Sequence, residues 1–312
     1  MASTFPAGHV DLGGGCHAWL QPGGGWGLSN AGLVGGRGES LLVDTLFDTW
    51  LTRHMLDGLA PVIADAPVTI AVNTHGNGDH WFGNQLLTGV EVIASAGTLA
   101  DMRAVGPSEV RALLADPGRA GMVARRVFGA FRLAEIEPAY PGTVYAGERQ
   151  LRVGGIDVRL IDVGPAHTTG DTIVHVPAAG IVYTGDIVFA GSTPIVWHGP
   201  IANWLRACER ILELGAATIV PGHGPVATAE AVHTQAAYLR FVQEQATPRH
   251  ERGMTFSEAA RDIDLGDYAA LPERERLIVN VHAVYRELDP RTPALDGPAA
   301  FACLGELMEE LL

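Results

Sequence analysis

Lysine is absent from this chain: all 21 basic residues are arginine. Schiff-base chemistry, P-loop phosphate binding and Ser-Lys dyads each need an ε-amine, so all three are excluded together. Positive charge is scarce as a whole. Thirty-five acidic residues face those 21 arginines, and the formal net charge of −14 repels phosphate backbones and anionic lipid surfaces. A small-molecule partner is therefore expected, with no nucleic acid and no membrane. Cysteine is rare. Cys16, Cys208 and Cys303 are widely scattered and none belongs to a C-x-x-C pair, which rules out a disulfide framework. Long apolar runs are missing too, with nothing approaching the ~18 to 20 uninterrupted apolar residues of a membrane span. The stretch from Met1 to Asp11 has neither the basic start nor the apolar run of a signal peptide, so a cytoplasmic location is expected.

What the chain does contain is an ordinary core supply, 47% hydrophobic residues over 312 positions, enough for one large domain or two small ones. Five short β-branched runs recur, and each leads to a residue with chemistry at or just past its end. Leu41 to Val43 runs into Asp44, Val68 to Val72 into His75, Val158 to Val163 into His167, Ile181 to Thr184 into Asp186, and Thr218 to Val220 into His223. Strands that deliver side chains to one rim of a sheet have this pattern, and the helical stretches between them make the domain α/β. Residues 97–137 read as a helical insertion broken at Pro107 and Pro117-Gly118, able to cover a pocket. Trp81 and Phe82 read as the start of a helix buried against the sheet. Beyond His223 the pattern is helical: Ala229 to Gln245, a helix opened by the Thr255-x-x-Glu258 capping box, and another from Pro272 whose Leu277, Val281, Val284, Tyr285 and Leu288 share one face.

The densest chemistry lies in Thr74-His75-Gly76-Asn77-Gly78-Asp79-His80, an H-x-N-x-D-H pattern in a glycine-rich turn. Two imidazoles and a carboxylate this close can converge on a divalent ion without help from a helix. Asn77 is the departure, because a carboxamide oxygen is a poor zinc ligand beside an imidazole. Three further glycine-bounded turns follow, Gly164 to Asp171 around His167, Tyr183 to Asp186, and Pro221 to Pro225 around His223. Together they offer four histidines and two aspartates to one rim.

These motifs, in this order over residues 30 to 225, resemble those of the metallo-β-lactamase-fold superfamily: H-x-H-x-D-H, a later His, an Asp within T-G-D and a last His within P-G-H. The resemblance implies a four-layer αββα sandwich with metals in a groove along one sheet edge. On the same basis residues 1–228 form the catalytic domain and 229–312 a helical extension packed on it. It places His75 and His167 at a first metal, Asp79, His80 and His223 at a second, and Asp186 between them. Because Asn77 stands where the family usually has a second imidazole, one tightly held zinc and a weakened second site are expected, with iron or manganese as other occupants. Asn77 is alternatively a water-orienting group. Asp44 and Asp171 read as supports for the ligand loops, and Trp197 and His198 as substrate contacts.

The implied activity is a metal-dependent hydrolase that uses a metal-activated water on a small ester, thioester, lactone, sulfate ester or amide, with Asp79, His75 and His167 as catalytic residues. Two other readings share the fold: a non-hydrolytic lyase or cyclase, and an iron-dependent redox enzyme.

Overall fold

The structure is a computed structural model and describes Phe5 and residues 7–310. Among the described residues two mixed sheets carry the architecture. The first has seven strands in chain order, β1 (Gly8–Gly13), β2 (Cys16–Leu20), β3 (Ala31–Gly35), β4 (Ser40–Val43), β5 (Val68–Val72), β6 (Glu91–Ser95) and β7 (Thr143–Tyr145). The second has five, β8 (Glu148–Val153), β9 (Ile156–Asp162), β10 (Thr172–Val176), β11 (Ile181–Tyr183) and β12 (Thr218–Val220), lined up from β12 at one edge to β8 at the other. The strands β1 to β4 pair antiparallel, and β4 to β7 run parallel to one another.

The period-two alternation of the strands sorts the apolar residues between layers. Leu41, Val43, Val72, Val174, Ile181 and Tyr183 point between the sheets and pack on Val34, Val158 and Val220. Their neighbours Leu42 and Ala71 point the other way and meet Met55 and Leu59 of helix α1 (Thr49–Ile63). On the far side Ile173, Val182 and Ile219 face a helical layer. It contains α5 (Ile201–Glu213), α6 (Ala229–Glu251), α7 (Phe256–Asp262), α8 (Leu277–Leu288) and α9 (Gly297–Glu310). The result is the expected αββα sandwich. Among the described residues no helix is long and apolar enough to cross a membrane.

The insertion forms three short helices, α2 (Ala96–Ala104), α3 (Pro107–Ala115) and α4 (Arg119–Phe128), and Pro107 opens α3 at its first turn, where its missing N–H costs nothing. The helical reading of residues 97–137 extends too far. After Gly129 the backbone is irregular, held by Arg111, whose guanidinium donates to the carbonyls of Leu133 and Ile136, while both those side chains are buried. The helix expected from Trp81 is also corrected: Phe82–Leu86 is a short 3-10 turn, and both aromatics pack with Phe47, Met102 and Leu133 beneath the insertion. The last predicted helix starts late. Glu273 has a left-handed backbone with φ of 60°, so α8 begins only at Leu277, after the 3-10 turn Arg274–Arg276. That helix is buried on every side from Leu277 to Tyr285 rather than along one stripe, and Leu288 is exposed. The capping box at Thr255 and Glu258 forms as read, each side chain closing on the other's backbone N–H.

Leu59 is fully buried where α1 crosses the first sheet, so Leu59→Ala should destabilise the protein by ~2 to 5 kcal/mol. Urea unfolding followed by circular dichroism measures this.

Candidate metal centre

Every strand end flagged in the sequence reaches the same place. The carboxylate of Asp186, in the turn after β11, sits among four imidazoles. Its Oδ1 lies 3.1 Å from Nε2 of His80, and its Oδ2 lies 3.4 Å from Nε2 of His167, 3.4 Å from that of His223 and 3.8 Å from that of His75. Asp79 Oδ2 is 3.4 Å from Nε2 of His223 and 3.9 Å from that of His80. Two adjacent donor groups result, His75 with His167 and Asp186, and Asp79 with His80 and His223. Within each group the donor atoms all lie within 4.8 Å of one another. Gly222 has to be glycine here, because a Cβ on it would run into the Asp186 carboxylate.

Backbone and hydroxyl partners fix which nitrogen of each ring faces inward. His80 donates from Nδ1 to Asp44 Oδ2 at 2.8 Å. Asp44 itself takes a left-handed backbone, φ 63°, which a short polar side chain tolerates better than most, and its carboxylate also accepts from the backbone N–H and the hydroxyl of Thr74, each at 2.7 Å. The Thr74 hydroxyl, having donated to Asp44, offers a lone pair to Nδ1–H of His75 at 3.1 Å. His167 donates from Nδ1 to the carbonyl of Ile195 at 2.8 Å. In all three rings the Nε2 is turned to the centre, as outer partners of metal-bound histidines do. The His223 loop is held differently: Asn30 donates to the carbonyls of Pro221 and Gly224, and the ring stacks flat on Phe189 at 5.2 Å. Asp171 accepts from Ala166 and Thr168 and closes the His167 turn.

The charges inside this cluster divide unevenly. Burial and the neighbouring rings hold His75 well below the usual imidazole value, and burial pushes His167 down to about 4. Against the same burial penalty, Asp186, Asp79 and Asp44 hold His80 well above its ordinary value, and Asp186 and Asp79 lift His223 to about 9. At neutral pH His75 and His167 therefore present lone pairs, whereas His80 and His223 carry protons that a cation would displace.

The donor set fits a divalent ion. The Nε2 atom of His75 is buried without a hydrogen-bond partner, a costly state that a cation relieves. Imidazole and carboxylate are donors for zinc and for other first-row metals. Asn77 is close but different: its Oδ1 lies 2.7 Å from Nε2 of His167. Since Nδ1–H of that ring is committed to Ile195, both facing atoms are acceptors. The pair is stable with a cation between them or with the amide turned end for end.

The centre opens into one cavity of about 530 Å³ whose walls are mostly apolar. Trp197 and His198 both line it, His198 from an exposed position within 3.3 Å of the Thr169 hydroxyl. Trp26, Phe128, Arg276 and Phe301 line it as well and were not singled out in the sequence. The sequence signal at Trp26 is its place inside a glycine run, and Phe301 belongs to an ordinary apolar helix face.

A two-sheet sandwich with paired His/Asp donor groups at one sheet edge defines a class of metal-binding hydrolase-like folds. The profile of the metallo-beta-lactamase superfamily matches residues 24–223, and the chain belongs to that superfamily. One curated relative is the 2,4-dinitroanisole O-demethylase subunit alpha of Nocardioides sp. (strain JS1661), 27% identical over 186 residues. That match covers 59% of this chain, which spans about half of the relative (48%). Among solved structures the chain is similar to the stereoselective inverting sec-alkylsulfatase from Pseudomonas sp., with a TM-score of 0.67, 18% identity, and 90% of this chain and 50% of that one covered. A metallo-beta-lactamase from Pontibacter korlensis gives a TM-score of 0.55 at 18% identity, over 74% of this chain and 98% of that one.

Asp44→Asn keeps the backbone's tolerance of its left-handed turn but removes the charge that orients His80. It should weaken metal retention by ~10- to 100-fold, read by competition with a chelator of known affinity.

Proposed function

We propose that this protein is a metal-dependent hydrolase acting on a small, largely apolar molecule at an ester-like oxygen, sulfur or nitrogen linkage. The observation that carries this reading is the cluster of four histidines and two aspartates around Asp186 at the floor of a mainly apolar cavity. Zinc is the proposed occupant. His80, Asp79 and His223 would form the tighter site, and His75 and His167 the weaker one, with Asp186 shared between them.

A divalent ion held by these donors supplies Lewis acidity and lowers the pKa of bound water to ~7. The protein's own groups do the rest. Asp79, with 13% of its side chain open against 5% for Asp186, is the more exposed of the two carboxylates and the one better placed to meet a water entering from the cavity. His75 and His167, neutral at physiological pH, provide inward-facing Nε2 lone pairs, their one N–H each being committed to an outer partner. The apolar walls exclude bulk water and strengthen every charge–dipole contact inside. Phe189, stacked on His223, keeps that ring from turning away.

A second reading concerns the bond broken. The curated relative named as an O-demethylase supports an activated aryl methyl ether among the oxygen-linked substrates. Both readings use the same centre.

Protein purified without added metal should contain close to one tightly held ion per chain by elemental analysis. Asn77→His should raise this to two. Two ions in the unaltered protein would overturn the unequal-site reading. Hydrolysis of a panel of esters, thioesters and an activated aryl ether should fall by more than the ~10- to 100-fold of an outer-partner loss in His223→Ala, since that change deletes a donor. Activity unchanged in that variant would overturn hydrolysis at this centre.

A further inference from the structure

We infer that the substrate has a flat aromatic body, uncharged away from its reacting group, that lies against a wall built from Trp197 and Phe301; this rests on the hydrolase reading of the same centre. Trp26, Trp197 and Phe301 stand with ring centroids 6.0 to 6.2 Å from one another, and the planes of Trp197 and Phe301 are within 10° of parallel. A continuous aromatic surface of this kind suits the face or edge of another ring, whose quadrupole it complements. Part of the wall lies outside the residues shared with the superfamily profile. Phe301 belongs to α9, which lies beyond the matched residues 24–223 and packs on α4, so the wall depends on an element outside the profile.

The polar inventory of the cavity points away from an anionic substrate body. Asp101, Glu109 and Asp296 line it, and Arg276, the arginine lining it among the described residues, is engaged by its neighbours through its terminal nitrogens and its face, with only its Nε lacking a hydrogen-bond partner. The Arg276 guanidinium lies 3.1 Å from Glu273, donates to the carbonyl of Thr193 at 2.7 Å and stacks over the ring of Trp26 at 4.2 Å. The Trp26 indole N–H is spent on Glu275 at 3.0 Å, so that ring presents carbon to the cavity. A carboxylate on the far end of a ligand would meet three acids and a matched cation. The volume of about 530 Å³ lies within the range of sites that enclose small organic ligands, which leaves room for one or two fused rings beside the reacting group.

The test combines binding and turnover. Calorimetry measures binding of 2-naphthol, of its half-saturated counterpart 5,6,7,8-tetrahydro-2-naphthol and of the anionic 6-hydroxy-2-naphthoate, and the acetate esters of the three are assayed for hydrolysis. Expected is tightest binding of 2-naphthol, about tenfold over the half-saturated compound, the upper end of what ring stacking adds beyond buried area, and weaker binding still of the naphthoate. Trp197→Leu and Phe301→Leu, which keep apolar bulk without the ring, should each remove most of the preference for the flat compound while metal content stays unchanged. Equal affinity for flat and half-saturated rings, a preference that survives both substitutions, or tighter binding of the naphthoate overturns the inference; the last outcome would assign Arg276 as an anion anchor. Selective binding of 2-naphthol with no ester hydrolysed would sink the hydrolase reading and leave the aromatic wall standing. Hydrolysis without ring preference would do the reverse.

Discussion

The structure turns on one buried carboxylate. Asp186 is almost closed to solvent, and its two oxygens lie within 4 Å of four imidazole nitrogens. A lone charge so placed would be prohibitively expensive, and the histidines around it stabilise it only because they arrive from three separate turns to meet the turn that carries Asp186. The sandwich supplies that convergence. The turns after β5, β9, β11 and β12 all open at one edge of the two sheets, so the packing between Leu41, Val72, Val174 and Tyr183 fixes the distances at the centre. Core packing and site geometry are thus one constraint.

A shell of ordinary hydrogen bonds converts convergence into orientation. Asp44 reaches both Thr74 and His80, the Thr74 hydroxyl reaches His75, the carbonyl of Ile195 takes the Nδ1 proton of His167, and Asn30 ties the β2–β3 connection to the His223 turn. Each of these fixes a ring before any ion is bound, which lowers the ordering cost of binding one. The left-handed backbone at Asp44 is strain spent on this purpose, since an extended residue there would turn the carboxylate away from both partners.

Much of this was legible in the sequence because its signals are local. H-x-N-x-D-H, T-G-D and P-G-H each place a donor in a glycine-bounded turn after a β-branched run, and the strands carrying Asp44, His75, Asp186 and His223 end within a residue or so of where the runs end. The insertion breaks at Pro107 and Pro117 were legible for the same reason. What could not be read depends on distance in the chain or on the backbone. Trp26 and Phe301 touch across 275 positions with no shared motif, and Ile195 acts through its carbonyl, which no side-chain pattern announces. The late start of α8 follows from the left-handed Glu273, whose neighbourhood holds Arg276 against Thr193 and Trp26. The end of the insertion failed as a helix because Leu133 and Ile136 are buried among the aromatics beneath it, a tertiary choice that overrides local propensity.

Asn77 and the aromatic wall bear on the same question from opposite sides. In a polar, well-hydrated groove, loss of one imidazole would be partly offset by water filling the vacated position. Here the cavity over the centre is mostly carbon, and the Asn77 amide faces His167 directly at 2.7 Å. A ring pressed against Trp197 and Phe301 would displace further water, so the charge left uncompensated at the His75 side would fall to Asp186 and to whatever group the substrate presents. The proposed apolar substrate body and the proposed unequal pair of metal positions are therefore consistent with one another: in a drier cavity each donor would count for more, and the chemistry would concentrate on the side of Asp79, His80 and His223.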